Sequence, residues 1–234
     1  MAAVDPSALT AIGAPALHIP DGFVSGPVAG AGFALSGIAI AVAVRATNRN
    51  LGERMVPLMG VMAAFIFAVQ MMNFPVAGGT SGHLVGGALA AILLGPWAAI
   101  IVMTSVVGLQ ALLFQDGGLA ALGDNVFNMG IIAVLVGYGV YWAFARFAHI
   151  APWVRLAGAF AAAWLSVQFA ALATTFELVL SDTSPLSVAL PAMMGVHAVI
   201  GIGEGLITVA AVAFVLATRR DLLEAGAEVA MSEA

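Results

Sequence analysis

Six long apolar runs, almost free of charge, set what this chain can fold into. They cover about 27–46, 55–73, 83–114, 126–147, 153–180 and 187–217. A helix needs roughly 20 apolar residues to cross the hydrocarbon core, and a membrane barrel needs a strand alternation that these runs lack. The sequence therefore predicts an all-α, polytopic membrane bundle. Its 234 residues are 62% hydrophobic and 8% charged, whereas a soluble domain carries about a quarter charged residues. There is no Lys, and seven Arg stand against twelve Asp and Glu for a net charge of −5, which argues against a nucleic-acid partner. With no Cys, any metal must be held by imidazole, amine, amide or carboxylate.

Arginine placement decides how often the chain crosses. Arg45, Arg49 and Arg54 follow the first run, Arg146 and Arg155 separate the fourth from the fifth, and Arg219 and Arg220 close the last. If these clusters are cytoplasmic, an even number of crossings separates Arg54 from Arg146, so the 32-residue run 83–114 must turn back on itself. Gly95-Pro96 breaks it, because proline removes a helix donor and restricts its predecessor. The expectation is a hairpin with a short arm, 83–94, and a longer one, 96–114. That makes about seven transmembrane helices, one of them short. The N-terminus and segments 74–82, 115–125 and 181–186 then lie outside the cell, in a multi-pass protein of the inner or plasma membrane.

The same parity places two of the four histidines, His18 and His83, on one outer face. An imidazole at the second position of a free chain is a special ligand. The α-amine, the second amide nitrogen and the imidazole Nδ1 form fused chelate rings with three coplanar nitrogens. One more imidazole, which His83 supplies, completes a square-planar set suited to Ni(II) or Cu(II). Each histidine alone also fits a plain role, His18 solvated and His83 bonded to a loop carbonyl at a helix start.

Other polar residues gather at the same face. Gln70, Asn73, Thr80 and Ser81 flank one turn, and Asp116, Asp124, Asn125 and Asn128 surround Gly117-Gly118 and Gly123. Such groups orient ligating imidazoles or cap the helices starting near 83 and 125. Glu177 and Asp182 end the fifth run. His197 and Glu204 share a face of the sixth, where an ionisable residue is a functional candidate. Gly201-Ile202-Gly203-Glu204-Gly205 lies inside a span and is no dinucleotide fingerprint. No Gly-x4-Gly-Lys-Ser/Thr loop is present, so this chain does not burn ATP itself.

Six ordered motifs carry a resemblance: His-Ile-Pro-Asp-Gly-Phe (18–23), Gln-Met-Met-Asn-Phe-Pro-Val (70–76), Gly-Thr-Ser-Gly-His-Leu-Val-Gly-Gly (79–87), Leu-Leu-Gly-Pro (93–96), Gln-Ala-Leu-Leu-Phe-Gln-Asp-Gly-Gly (110–118) and Asn-Val-Phe-Asn-Met-Gly (125–130). From His18 to about Arg220 the chain resembles the CbiM/NikM family, the substrate-specific membrane components of energy-coupling-factor cobalt and nickel transporters. The resemblance implies a seven-helix fold whose N-terminus dips into the outer face. It implies Leu17, His18 and His83 as ligands of transported Ni(II) or Co(II), with Asp21, Asn73 and Ser81 as second-sphere candidates and no catalytic residue or cofactor. Implied partners are a coupling transmembrane subunit, ATPase subunits and a small accessory membrane subunit, serving nickel enzymes or cobalamin biosynthesis.

One departure matters. The family's mature chain begins Met-His, whereas Leu17 precedes His18 here, and an acylated Leu17 has no α-amine to give. Residues 1–16 are expected to be an extension either cleaved after Ala14-Pro15-Ala16 or not translated because synthesis starts at codon 17. If neither holds, the extension stays and the metal is bound differently or not at all. Residues 17–220 form the transmembrane metal-binding domain, and 221–234 a cytoplasmic acidic tail. Two rival readings are an intramembrane serine hydrolase using Ser81 with His197 as base, and a stand-alone cation permease.

Overall fold

The computed structural model describes residues 18–50, 52, 55–71, 74–76, 80–147, 151 and 153–219. The extension 1–16, Leu17, Asn73, the side chain of Ser81 and the tail from residue 220 lie outside the described residues. Seven helices follow in order among those described: α1 (Gly26–Asn50), α2 (Met55–Gln70), α3 (Gly87–Leu94), α4 (Pro96–Phe114), α5 (Leu122–Ala145), α6 (Trp153–Leu180) and α7 (Leu186–Thr218). Five are long and apolar enough to cross a membrane, and α2 is a shorter apolar helix. Large apolar side chains such as Phe33, Ile38, Val61, Leu113 and Phe214 face outward, as lipid contact requires. The chain is a multi-pass membrane protein. Among the described residues, a small antiparallel ribbon, β1 (Phe74–Val76) paired with β2 (Thr80–Gly82), is the one addition to the expected all-helical bundle.

The expected hairpin forms, with one correction to its short arm. The helix there starts at Gly87, so His83 lies in an irregular stretch ahead of it rather than at a helix start. Gly86 turns the chain with φ +80, and a side chain there would press on Ile66. Gly95 then breaks the run as predicted, leaving Pro96 as the first residue of α4. An eight-residue helix is only about 12 Å long and would expose unpaired ends to lipid if it stood alone. All eight residues of α3 are instead buried in protein. It packs on α5 through small residues: a Cβ on Gly137 would meet Ala88 at 2.6 Å, and one on Gly87 would meet Ala133 at 3.0 Å, the close backbone approach typical of membrane interfaces.

Segments 18–25, 83–86, 116–120 and 181–183 converge at one end of the bundle. His18 contacts His83 and Asp116, Ile19 bonds to Gly118, and the Ser25 amide donates to Ser181 Oγ at 2.9 Å. Helix direction puts Arg45, Arg49, Arg146, Arg155 and Arg219 at the opposite end. This is the arrangement that crossing parity demanded.

Candidate metal centre

The two histidines meet. Their ring centroids lie 4.7 Å apart with the planes tilted by 31°, and both residues are buried. His83 Nδ1 is 2.9 Å from the carbonyl of Leu84. A carbonyl can only accept, so Nδ1 carries the proton and Nε2 keeps its lone pair. His18 Nδ1 is 2.9 Å from Asp116 Oδ1. The Nε2 atoms of both rings are buried and unpaired among the described residues. A buried nitrogen without a partner costs about 1–3 kcal/mol, and here two of them share one site.

Electrostatics keeps the pair ready for a cation. Burial, reinforced by neighbouring His18, pushes His83 down to about 4, so this imidazole is neutral at ordinary pH and able to ligate. The hydrogen bond from His18 holds the Asp116 carboxyl below the usual carboxylate range against the opposing effect of its burial. Asp116 thus stays ionised and fixes the His18 ring in the metal-free protein.

The segment 18–21 is strapped down by loop 115–121 and the start of α5. Asn125 Oδ1 accepts the Ile19 N–H at 2.7 Å while its Nδ2 donates to the Ile19 carbonyl at 3.1 Å. Gly118 N–H reaches the same carbonyl at 2.9 Å, and the Ile19 side chain is buried. The Asp21 carboxylate accepts the Ala120 amide at 2.7 Å. It is therefore an anchor of the strap and touches neither imidazole. Gly117 has φ +95, a conformation that glycine adopts without strain, and a Cβ on Gly118 would collide with the backbone nitrogen and carboxylate of Asp21. Gly118→Val is accordingly expected to lift the strap and weaken any metal binding at the histidine pair by roughly tenfold or more, with the bundle still folded. Calorimetric titration with circular dichroism would check it.

Some expected roles change. Neither Asp124 nor Asn125 caps a helix by its side chain, because α5 begins earlier, at Leu122. Asn125 spends its amide on Ile19, while Asp124 packs beside Gly32 of α1. Asn128 bonds to Thr174 at 3.1 Å and to Glu177 at 2.5 Å, away from the histidines. His197 Nδ1 lies 2.7 Å from the Met193 carbonyl of its own helix, with its ring near enough to His83 to be felt electrostatically. Glu204 does not reach for His197. Its two oxygens accept the Val85 and Gly86 amides at 2.6 and 2.9 Å, and Gln70 donates to the Val85 carbonyl at 2.6 Å. Sequence reasoning singled out Glu204 as intramembrane but had no signal for a backbone partner more than a hundred residues away.

A helical membrane bundle that buries two touching imidazoles at one end is a polytopic membrane protein with nitrogen donors gathered in one place. Comparison with known proteins gives the family. The family profile described as the cobalt uptake substrate-specific transmembrane region, CbiM, matches residues 18–222, and this chain belongs to that family. A fused protein of Archaeoglobus fulgidus, NikMN, named for nickel transport, is 45% identical over 210 residues, covering 89% of this chain and 68% of that one. A protein of Haloquadratum walsbyi named for metal transport is 44% identical, covering 88% and 93%. The crystal structure of a truncated transition metal transporter is similar at a TM-score of 0.76 and 38% identity, over 85% of this chain and 98% of that one.

Proposed function

We propose that this chain is the metal-binding membrane subunit of an ATP-driven, energy-coupling-factor importer of Ni(II) or Co(II). The observation that carries the reading is the contact of two buried imidazoles, with His83 Nε2 unpaired among the described residues, beside the strapped segment 18–21. In the loaded state of a chain that begins at Leu17, the Leu17 amine, the His18 amide nitrogen and the His18 imidazole supply three donors, and His83 the fourth. Chelation through His18 Nδ1 requires the ring tautomer with its proton on Nε2 and frees the Asp116 carboxylate, which then balances part of the metal charge. A planar nitrogen set suits Ni(II) over Zn(II) or Mg(II), which favours nickel, as does the name of the Archaeoglobus relative.

The chain holds no ATP-binding loop, so the energy comes from ATPase subunits acting through a coupling transmembrane subunit, with a small accessory membrane subunit completing the assembly. The experiment is metal accumulation in cells making this chain with and without those partners. Uptake that requires the ATPase supports the proposal. Equal uptake by the chain alone establishes a stand-alone permease instead.

A further inference from the structure

Glu204 sits in the middle of α7, where a carboxylate with no ligand role is costly. What it does there is visible in its partners. Its two oxygens receive the successive amides of Val85 and Gly86, the groups that the start of α3 leaves without helical partners. Gln70 at the end of α2 holds the Val85 carbonyl from the other side. Residue 83 is two positions away, and its side-chain direction depends on that stretch. Helix α7 is itself seated by the glycines of the 201–205 motif. A Cβ on Gly201 would press on Trp164, one on Gly205 would overlap the ring of Phe160, and Gly203 faces Leu84. The glycines let α7 lie close against α6 with Glu204 turned toward the 83–86 stretch.

We propose that Glu204 is a positioning residue for the transported metal. Through the Val85 and Gly86 amides it fixes the stretch that holds the His83 ring against His18. This rests on the metal-binding reading above. A carboxylate accepts from both amides, whereas a glutamine accepts from one and confronts the other with an N–H of its own.

The test uses the chain released at Leu17 by a protease site placed ahead of it, in detergent, titrated with Ni(II) alone, as wild type, Glu204→Gln, Glu204→Ala, Glu177→Gln and His83→Ala. Hydrogen exchange at residues 84–87 is followed without metal. Expected results are faster exchange in both Glu204 variants and a fall in Ni(II) affinity of roughly tenfold for Gln and up to about a hundredfold for Ala. The ligand-field spectrum should shift as His83 loses its aim. Glu177→Gln, altered outside the metal centre, is expected to bind like wild type. Unchanged Ni(II) affinity and spectrum in the Glu204 variants, even with a lowered melting temperature, overturn the proposal and leave Glu204 a purely structural residue. If wild type and His83→Ala bind Ni(II) alike, the metal centre itself is refuted, and the positioning role with it.

Discussion

Replacing His83 by leucine is expected to abolish metal binding while leaving the metal-free bundle as stable as before, or more so. The imidazole lies buried with Nε2 unpaired, and such a nitrogen costs about 1–3 kcal/mol that an apolar side chain of similar volume does not incur. Losing one of four donors should reduce Ni(II) affinity by more than about a hundredfold, since even outer-sphere substitutions cost ten to a hundred. Thermal unfolding with and without Ni(II) separates the two effects. The wild type should gain stability with metal, because a ligand bound only by the folded state raises its melting point. The variant should start as high and gain nothing. A histidine kept for structure would behave the opposite way, with His83→Leu lowering the metal-free melting point. Metal accumulation in cells carrying His83→Ala should fall to background, and undiminished accumulation would sink the assigned site.

The second large effect concerns Leu17. With a free amine, binding Ni(II) releases protons from that amine, ordinarily near 8, and from the His18 amide. His83 releases none, because it is neutral above about pH 4. One displaced proton makes affinity fall about tenfold for each pH unit below the group's own pKa, and two make it fall about a hundredfold. A chain released at Leu17 by a protease site placed ahead of it should therefore bind Ni(II) far more tightly than the chain with residues 1–16 attached. Its affinity should also drop steeply between pH 8 and 6. The extended chain, with no amine at position 17, should bind weakly and with a shallower slope. Equal affinities and equal slopes would exclude the amine from the ligand set.

The sequence shows the bundle plainly and the site only partly, for reasons that particular residues make clear. Length and apolarity determine a spanning helix, so the runs ending in α6 and α7 match the structure to within a residue. The hairpin was legible because Gly95-Pro96 is a covalent constraint and arginine parity a topological one. The start of α3 was not, since Gly86 in a left-handed conformation and a carboxylate from α7 stop the helix from reaching His83. No local pattern encodes either. His18 and His83 were found by their rarity and shared side, and Asp116 by its chemistry. Asn125 looked like a cap because capping is the local use of an asparagine, while its real partner is Ile19, over a hundred residues earlier.

The grip of Asn125 on Ile19 makes the mouth of this protein a ruler. Asn125 holds the main chain on both edges and ignores the side chain, so what it gauges is distance along the polypeptide. The clamped position directly follows His18 and lies two positions after Leu17. Other side chains that fill the same buried space at position 19 should pass, but inserting a single glycine between His18 and Ile19 would push the imidazole out of register with His83 even though every donor atom remained. In such a site, spelling matters less than spacing.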